Sequence, residues 1–230
     1  MKLLVLSTTN NLSINNHKDL EASLIHHGYD YYFHEYPFQF GSQYKVIAEY
    51  VNNYQGDATH IVYLDAWDSI AVAPPSEVRT QFNYHNCKML ISAEKAYFPD
   101  DGQSHLIPES NSAWRFINGG GCMFDIQYFK QLVLNNPMPT YGMMDPHWLR
   151  DCLVTDPTNI KIDTDCTIFQ TLSHCNEDEF APLQYLNKTI AILNKATQTQ
   201  PIFFHHNGIK NREDVKWLYD YHRSQIEKVL

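Results

Sequence analysis

Ile61-Val62-Tyr63-Leu64-Asp65-Ala66-Trp67-Asp68 reads as a short apolar strand that runs directly into two carboxylates. A compact apolar run of this length marks a buried strand. In α/β folds, ligands bind beyond the carboxyl ends of such strands. Two aspartates three residues apart converge on one point if the chain turns there. A hard divalent cation prefers oxygen ligands, and one or two carboxylates completed by substrate phosphates suit Mg2+ or Mn2+. The plain alternative is that Asp65 and Asp68 cap a turn or a following helix.

Upstream, Lys2 to Leu6 is a second apolar run and ends in Ser7-Thr8-Thr9-Asn10. Residues 15–27 have helical spacing, with Leu20, Leu24 and His27 on one face and Gly28 placed as a C-cap. Tyr29 to Tyr36 is aromatic-rich and predicts a strand. Gly41 to Asn53 predicts a helix with Val46, Ile47, Tyr50 and Val51 as its apolar positions. Downstream, a helix near Ser76 to Phe82 precedes a strand over Met89 to Ser92, followed by a turn at Glu94. Strands alternating with helices predict an α/β fold with a mostly parallel central sheet flanked by helices. The strand ends after Leu6, Leu64 and Ser92 then point at one crevice.

Further along, residues 98–114 and 135–147 read as loops, Cys122 to Phe129 as the start of a strand or helix, and His147 to Val154 as a helix. Pro201 to Phe204 reads as a last strand and Arg212 to Leu230 as a closing helix. With no repeat, low-complexity tract or linker, residues 1–230 are expected to form a single domain.

Seventeen basic against 26 acidic residues give a net charge of −9, with no basic run. That composition argues against nucleic acid, whose binding rests on neutralising phosphates. An acidic protein that binds an anionic nucleotide needs local positive charge, and a metal ion supplies it. The five cysteines have no CxxC spacing, so a reducing compartment is expected. Leu3 to Leu6 is too short for a signal-peptide core, and no stretch is apolar enough to span a membrane. The expectation is a cytoplasmic or otherwise soluble chain.

Four other clusters carry candidate chemistry. His205-His206-Asn207-Gly208 combines an imidazole ligand with a tight turn whose backbone can approach a phosphate, and Lys210 lies just beyond. An ordinary surface turn is the plain reading. Asn118-Gly119-Gly120-Gly121 lets backbone lie against a flat ligand, and otherwise reads as a flexible turn. Asp145 suits a general base or a sugar-binding group, and equally a helix N-cap followed by Pro146. Asp163 and Asp165 have DxD spacing but lie far along the chain from Asp65, so a structural role is preferred.

These segments join others in a consistent order. They are Gly41-Ser42-Gln43-Tyr44-Lys45-Val46; Asp65-Ala66-Trp67-Asp68 with Val72-Ala73; Ser92-Ala93-Glu94 with Phe98-Pro99; Arg115-Phe116-Ile117-Asn118-Gly119-Gly120; Asp163 with Ile168-Phe169-Gln170; and His205-His206-Asn207-Gly208. Together they resemble the glycosyltransferase domain of procollagen-lysine hydroxylases and related collagen glycosyltransferases. The resemblance implies a GT-A-like, Rossmann-like fold, a UDP-sugar donor, and Mn2+ as the metal with Mg2+ second. It puts the metal on Asp65, Asp68 and His205, and Trp67 beside the uracil or ribose. Thr8, Thr9 and Lys45 would face the nucleotide, and Asn207, Gly208 and Lys210 the diphosphate. Glu94, Asn118, Gly119, Gly120 and Asp145 would face the sugar and acceptor, with Asp145 and Glu94 as the catalytic carboxylates.

The chain departs from that family in three places. Phe98-Pro99 stands where the family has Trp-Pro, Asp145-Pro146 where it has consecutive acidic residues, and His206 where it has Gly. The implied activity is transfer of a hexose, glucose or galactose, to an acceptor hydroxyl on a protein or glycan. By resemblance the acceptor is hydroxylysine or galactosyl-hydroxylysine of a collagen-like protein. The missing acidic neighbour of Asp145 keeps a UDP-sugar-binding module open as the alternative. A metal-dependent phosphohydrolase using the same acid and histidine set is a third reading.

Overall fold

The computed structural model describes residues 1–9, 17–36, 43–138, 145–184 and 190–208, with Asp220 and Ser224. The expected closing helix over Arg212–Leu230 lies outside the described residues apart from those last two positions. So do residues 139–144 of the loop expected over 135–147 and the beginnings of the helices expected from residues 15 and 41.

The elements run β1 (Leu3–Thr9), α1 (Lys18–His27), β2 (Tyr31–Glu35), α2 (Gln43–Asn53), β3 (His60–Asp65), β4 (Ser69–Ala71), α3 (Pro75–His85) and β5 (Met89–Glu94). There follow β6 (Phe116–Asp125), α4 (Ile126–Asn135), α5 (Asp145–Thr155), β7 (Ile160–Ile162), β8 (Phe169–Thr171), β9 (Phe180–Gln184), β10 (Ile190–Asn194) and β11 (Phe203–His205). Gly28 closes α1 at φ 75°, a conformation that costs glycine nothing.

The central sheet has the order β2-β1-β3-β6-β5-β7. Period-two alternation buries both of its faces. Leu6, Tyr63, Ile91, Cys122 and Phe124 pack with Ile47 and Val51 of α2, Phe129 of α4 and Trp148 of α5. Val5, Val62, Leu64, Leu90 and Met123 pack on the opposite face with Leu20 and Leu24 of α1 and Val78 and Phe82 of α3. A third cluster, including Ile70, Trp114, Phe180 and Phe204, lies under a smaller sheet of order β4-β11-β8.

The sheet is α/β and mostly parallel, as the alternation predicts, except at β6. That strand pairs antiparallel with both β3 and β5. The reversal has a positional consequence. A parallel strand would bring its last residues to the crevice, whereas β6 brings its first. Asn118, Gly119 and Gly120 therefore lie beside the carboxyl ends of β3 and β5, and the glycine run is a buried strand instead of a turn.

The small sheet does the second piece of positioning. β4 begins at Ser69, directly after Asp68, and pairs antiparallel with β11 so that Ser69 lies opposite His205. The His206 amide donates to the Asp68 carbonyl at 2.7 Å and extends that ladder. A histidine far along the chain is thereby locked against the strand end that carries the aspartates.

Asp163 serves this layer structurally. It is fully buried and accepts hydrogen bonds from the Thr167 amide and hydroxyl and from the Ile168 and Phe169 amides, all at 2.8–2.9 Å. Asp163→Ala strands those donors. It is expected to lower unfolding free energy by about 3 kcal/mol in urea titrations. A loss below about 1 kcal/mol would mean that the carboxylate is not what seats β8.

Candidate metal centre and its cleft

Asp65 is the last residue of β3, and Asp68 follows one turn later, immediately before β4. His205 Nε2 lies 3.4 Å from Asp65 Oδ2 and 3.2 Å from Asp68 Oδ1. One ligand atom from each of the three residues falls within 4.8 Å of the others. Two carboxylate oxygens and an imidazole nitrogen form a donor set that suits Mn2+ and related divalent ions.

The surroundings aim each donor. Asp65 Oδ1 accepts from the Tyr63 hydroxyl at 2.9 Å and the Gln43 amide at 3.0 Å, which leaves Oδ2 facing the histidine. Asn118 Oδ1 accepts the Gly120 amide at 3.0 Å and lies 3.0 Å from His205 Nδ1. That oxygen is an acceptor, so Nδ1 carries the proton and Nε2 is presented to the carboxylates, as in metal-ligating histidines.

Burial lowers the His205 pKa, but the charges of Asp68 and then Asp65 outweigh it and hold the imidazole up at about 9. Asp65 itself is pushed up by burial, offset by His205. Without a cation, a proton thus supplies the positive charge between the two aspartates. A metal entering there displaces that proton, the usual coupling of metal binding to ligand ionisation. The three side chains fit a divalent cation on these grounds.

Gly120 shows how tightly the site is built. A Cβ on Gly120 would lie 2.6 Å from Asp65 Oδ2 and closer still to the His205 ring. The strand backbone itself forms one wall of the ligand set, and only glycine permits that approach.

A cleft of about 590 Å3 opens over the cluster. It is lined by Thr8, Thr9, Trp67, Glu94, Asn118, Gly119, Gly120, Asp145, Asn207 and Gly208, together with Asp65, Asp68 and His205. Trp67 is half exposed, and its indole N–H reaches Thr9 Oγ1 at 3.4 Å. Lys45 is not among these residues: it lies on the exposed side of α2, whose inward positions are Tyr44, Ile47, Ala48 and Val51. Lys210 lies outside the described residues.

Two buried carboxyls face the cleft. Glu94 is pushed up to about 7, chiefly by burial, against hydrogen bonds from Asn118 and Asn207. The Asn207 amide donates to Glu94 Oε2 at 2.8 Å, and Asn207 Oδ1 accepts the Leu172 and Ser173 amides at 3.1 and 3.0 Å. Asp145 is pushed up to about 6 by burial, opposed by the Tyr44 amide at the start of α2.

Gln43, Tyr36, Tyr97, Phe98, Ser173 and His174 complete much of the lining without having been singled out as site residues from sequence. For Gln43 a signal existed. It opens α2 two residues before Lys45, and at that terminus the helix meets the strand ends.

A family model described as the PLOD GT domain matches residues 16–228. Over 157 residues the chain is 27% identical to the human multifunctional procollagen lysine hydroxylase and glycosyltransferase LH3, covering 64% of this chain and 20% of that protein. It thus spans about a fifth of the length of the curated relatives it matches. Its fold is similar to that of the galactosyltransferase LgtC solved with donor and acceptor sugar analogs, with TM-score 0.56 and 10% identity over 99% of this chain and 96% of that one. It is also similar to a glycosyltransferase involved in glycosylation of the major capsid of PBCV-1, with TM-score 0.53 and 12% identity over 99% and 100% of the two chains. The likeness to these structures is one of fold, the GT-A type.

Two predictions follow from the geometry. Gly120→Ala pushes Asp65 and His205 apart. It is expected to weaken Mn2+ binding at least about tenfold, read by paramagnetic relaxation of water, while costing about 1–3 kcal/mol of stability. Unchanged Mn2+ affinity would separate Gly120 from the metal cluster. The second concerns Glu94, whose folded pKa exceeds its ordinary value of 4.5. Stability from its protonated form is full below that value and is lost as pH rises through about 7. In metal-free protein, Glu94→Gln is expected to remove a decline on the order of 3 kcal/mol across that window. Parallel pH–stability curves for the two proteins would refute the assignment.

Proposed function

Since the chain belongs to the PLOD GT domain family, and is in that sense a glycosyltransferase, we propose that it transfers a hexose, glucose or galactose, from a UDP-sugar to an acceptor hydroxyl. The observation that carries this reading is the convergence of Asp65, Asp68 and His205 on one point inside a cleft large enough for a nucleotide sugar. Those three residues would hold Mn2+, with Mg2+ as the second choice. Such an ion supplies charge neutralisation to a diphosphate leaving group.

The chain's own residues do the rest. The half-exposed Trp67 offers an indole face to the uracil or ribose. Thr8 and Thr9, at the end of β1, line the nucleotide side. Asn207 and Gly208 lie along the diphosphate, where Gly208 at φ 89° permits close approach of backbone, and the resemblance assigns Lys210 to the same group. Gly119 and Gly120 let the sugar ring rest on strand β6, and Glu94 and Asn118 contact its hydroxyls. Asp145 orients the acceptor hydroxyl and receives its proton as the new glycosidic bond forms. With its pKa near 6, Asp145 is largely ionised at neutral pH, as a proton acceptor must be. Lys45, expected to face the nucleotide, lies on the exposed side of α2 outside the described cleft lining.

The acceptor we propose, as the family resemblance implies, is hydroxylysine or galactosyl-hydroxylysine of a collagen-like protein. A panel of UDP-sugars with Mn2+, read by UDP release, identifies the donor. Asp68→Ala and His205→Ala are each expected to lower turnover by about 100-fold or more. Undiminished turnover in both variants would overturn the metal assignment. Mn2+-dependent UDP binding without transfer to any acceptor would instead favour a binding module, a reading motivated by the lone carboxylate at Asp145.

A further inference from the structure

The cleft has an electrostatic problem that its described lining solves in only one place. Four carboxyl groups face it, those of Asp65, Asp68, Glu94 and Asp145, and no described Lys or Arg does. Two histidines are the basic side chains of the described lining, His205 and His174. The first is committed to Asp65 and Asp68. The second is exposed, and among the described residues its imidazole makes no hydrogen bond or ion pair.

His174 reaches the cleft by an unusual backbone. The chain turns sharply after β8, with the Cys175 amide donating to the Leu172 carbonyl at 3.1 Å. Ser173 and His174 form the tip. His174 sits at φ 59°, a left-handed conformation that residues with a Cβ rarely adopt. The surroundings enforce it. Asn207 Oδ1 accepts the Leu172 and Ser173 amides, and Lys95 donates to the His174 carbonyl at 3.2 Å. Lys95 is fixed in turn by Glu179 at 2.8 Å and by the Trp114 ring, 4.5 Å from its ammonium. On the cleft side the tip lies against Gly208, where an added Cβ would be 3.3 Å from Ser173 Oγ. The Ser173 hydroxyl, like the His174 ring, has no hydrogen-bond partner among the described residues.

We propose that the Ser173–His174 turn is a second phosphate-binding element, which donates hydrogen bonds from the Ser173 hydroxyl and the His174 imidazole to the diphosphate of the nucleotide donor. This rests on the reading of the cleft as a UDP-sugar site and extends it from the metal ligands to residues on β8's exit turn. A phosphate oxygen takes both kinds of donor, and burial among carboxylates selects an anionic ligand only where such donors are concentrated.

The test exploits the backbone. Glycine adopts φ 59° without strain, so His174→Gly removes the imidazole and preserves the turn. UDP affinity is measured calorimetrically in Mn2+ for wild type, His174→Gly, His174→Gln and Ser173→Ala, with uridine as the probe that lacks phosphates. His174→Gly is expected to weaken UDP about tenfold while uridine stays within about twofold, and glutamine recovers part of the loss. Mn2+ affinity without nucleotide stays at the wild-type value. The proposal is overturned if UDP affinity is unchanged in all three variants, if UDP and uridine weaken equally, or if Mn2+ affinity falls in parallel. Wild-type protein that binds no UDP in Mn2+ would remove the reading of the cleft and this proposal together. Wild-type binding with indifferent variants would remove this proposal alone.

Discussion

Two carboxylates brought to one buried strand end repel each other, and much of the fold around the cleft is arranged to keep them together. Tyr63 and Gln43 donate to one oxygen of Asp65, and His205 is wedged against the other and against Asp68. Keeping His205 there requires the β4–β11 pairing, which in turn rests on the third core cluster through Ile70 and Phe204. Keeping it turned the right way requires Asn118, hence the antiparallel entry of β6. The arrangement balances two negative charges against one imidazolium, so it is left net negative. A divalent cation relieves that imbalance, and any such binding adds to folding stability by mass action.

This dependence explains which features could be read from residues alone. The strand ends at Thr8, Asp65 and Glu94 were legible because apolar runs and polar turns alternate locally. The antiparallel course of β6 was not, because Asn118-Gly119-Gly120-Gly121 has almost no strand propensity of its own. Those glycines are in a strand because Cys122 to Phe124 are buried beside it and because Asp65 and His205 leave no room for a side chain. The pairing of β4 with β11 joins three-residue strands far apart in sequence, too short for any periodicity to reveal. Lys45 shows how a helical period redistributes a matched segment. It lies within a segment that matches the family, yet the helical period of α2 turns Tyr44 inward and Lys45 outward, while Gln43 at the helix start reaches the aspartate. Ser173 and His174 carried no motif, and only the turn geometry after β8 puts them at the cleft.

The two remaining carboxyls differ in how their lone pairs are used. Glu94 is enclosed by the amides of Asn118 and Asn207, each of which also holds a second element: Asn118 orients His205, and Asn207 seats the turn after β8. A carboxyl so engaged transmits position among its neighbours, and moving its proton would disturb all of them. Asp145 has fewer ties. It faces backbone amides at the start of α2, where the helix terminus favours its ionised form against the burial that disfavours it. In the activity proposed above, those fewer ties leave Asp145 the carboxyl assigned to meet the acceptor hydroxyl. Glu94 thus ties β6, the turn after β8 and the strand end of β5 together, while Asp145 faces the same cleft from a separate helix.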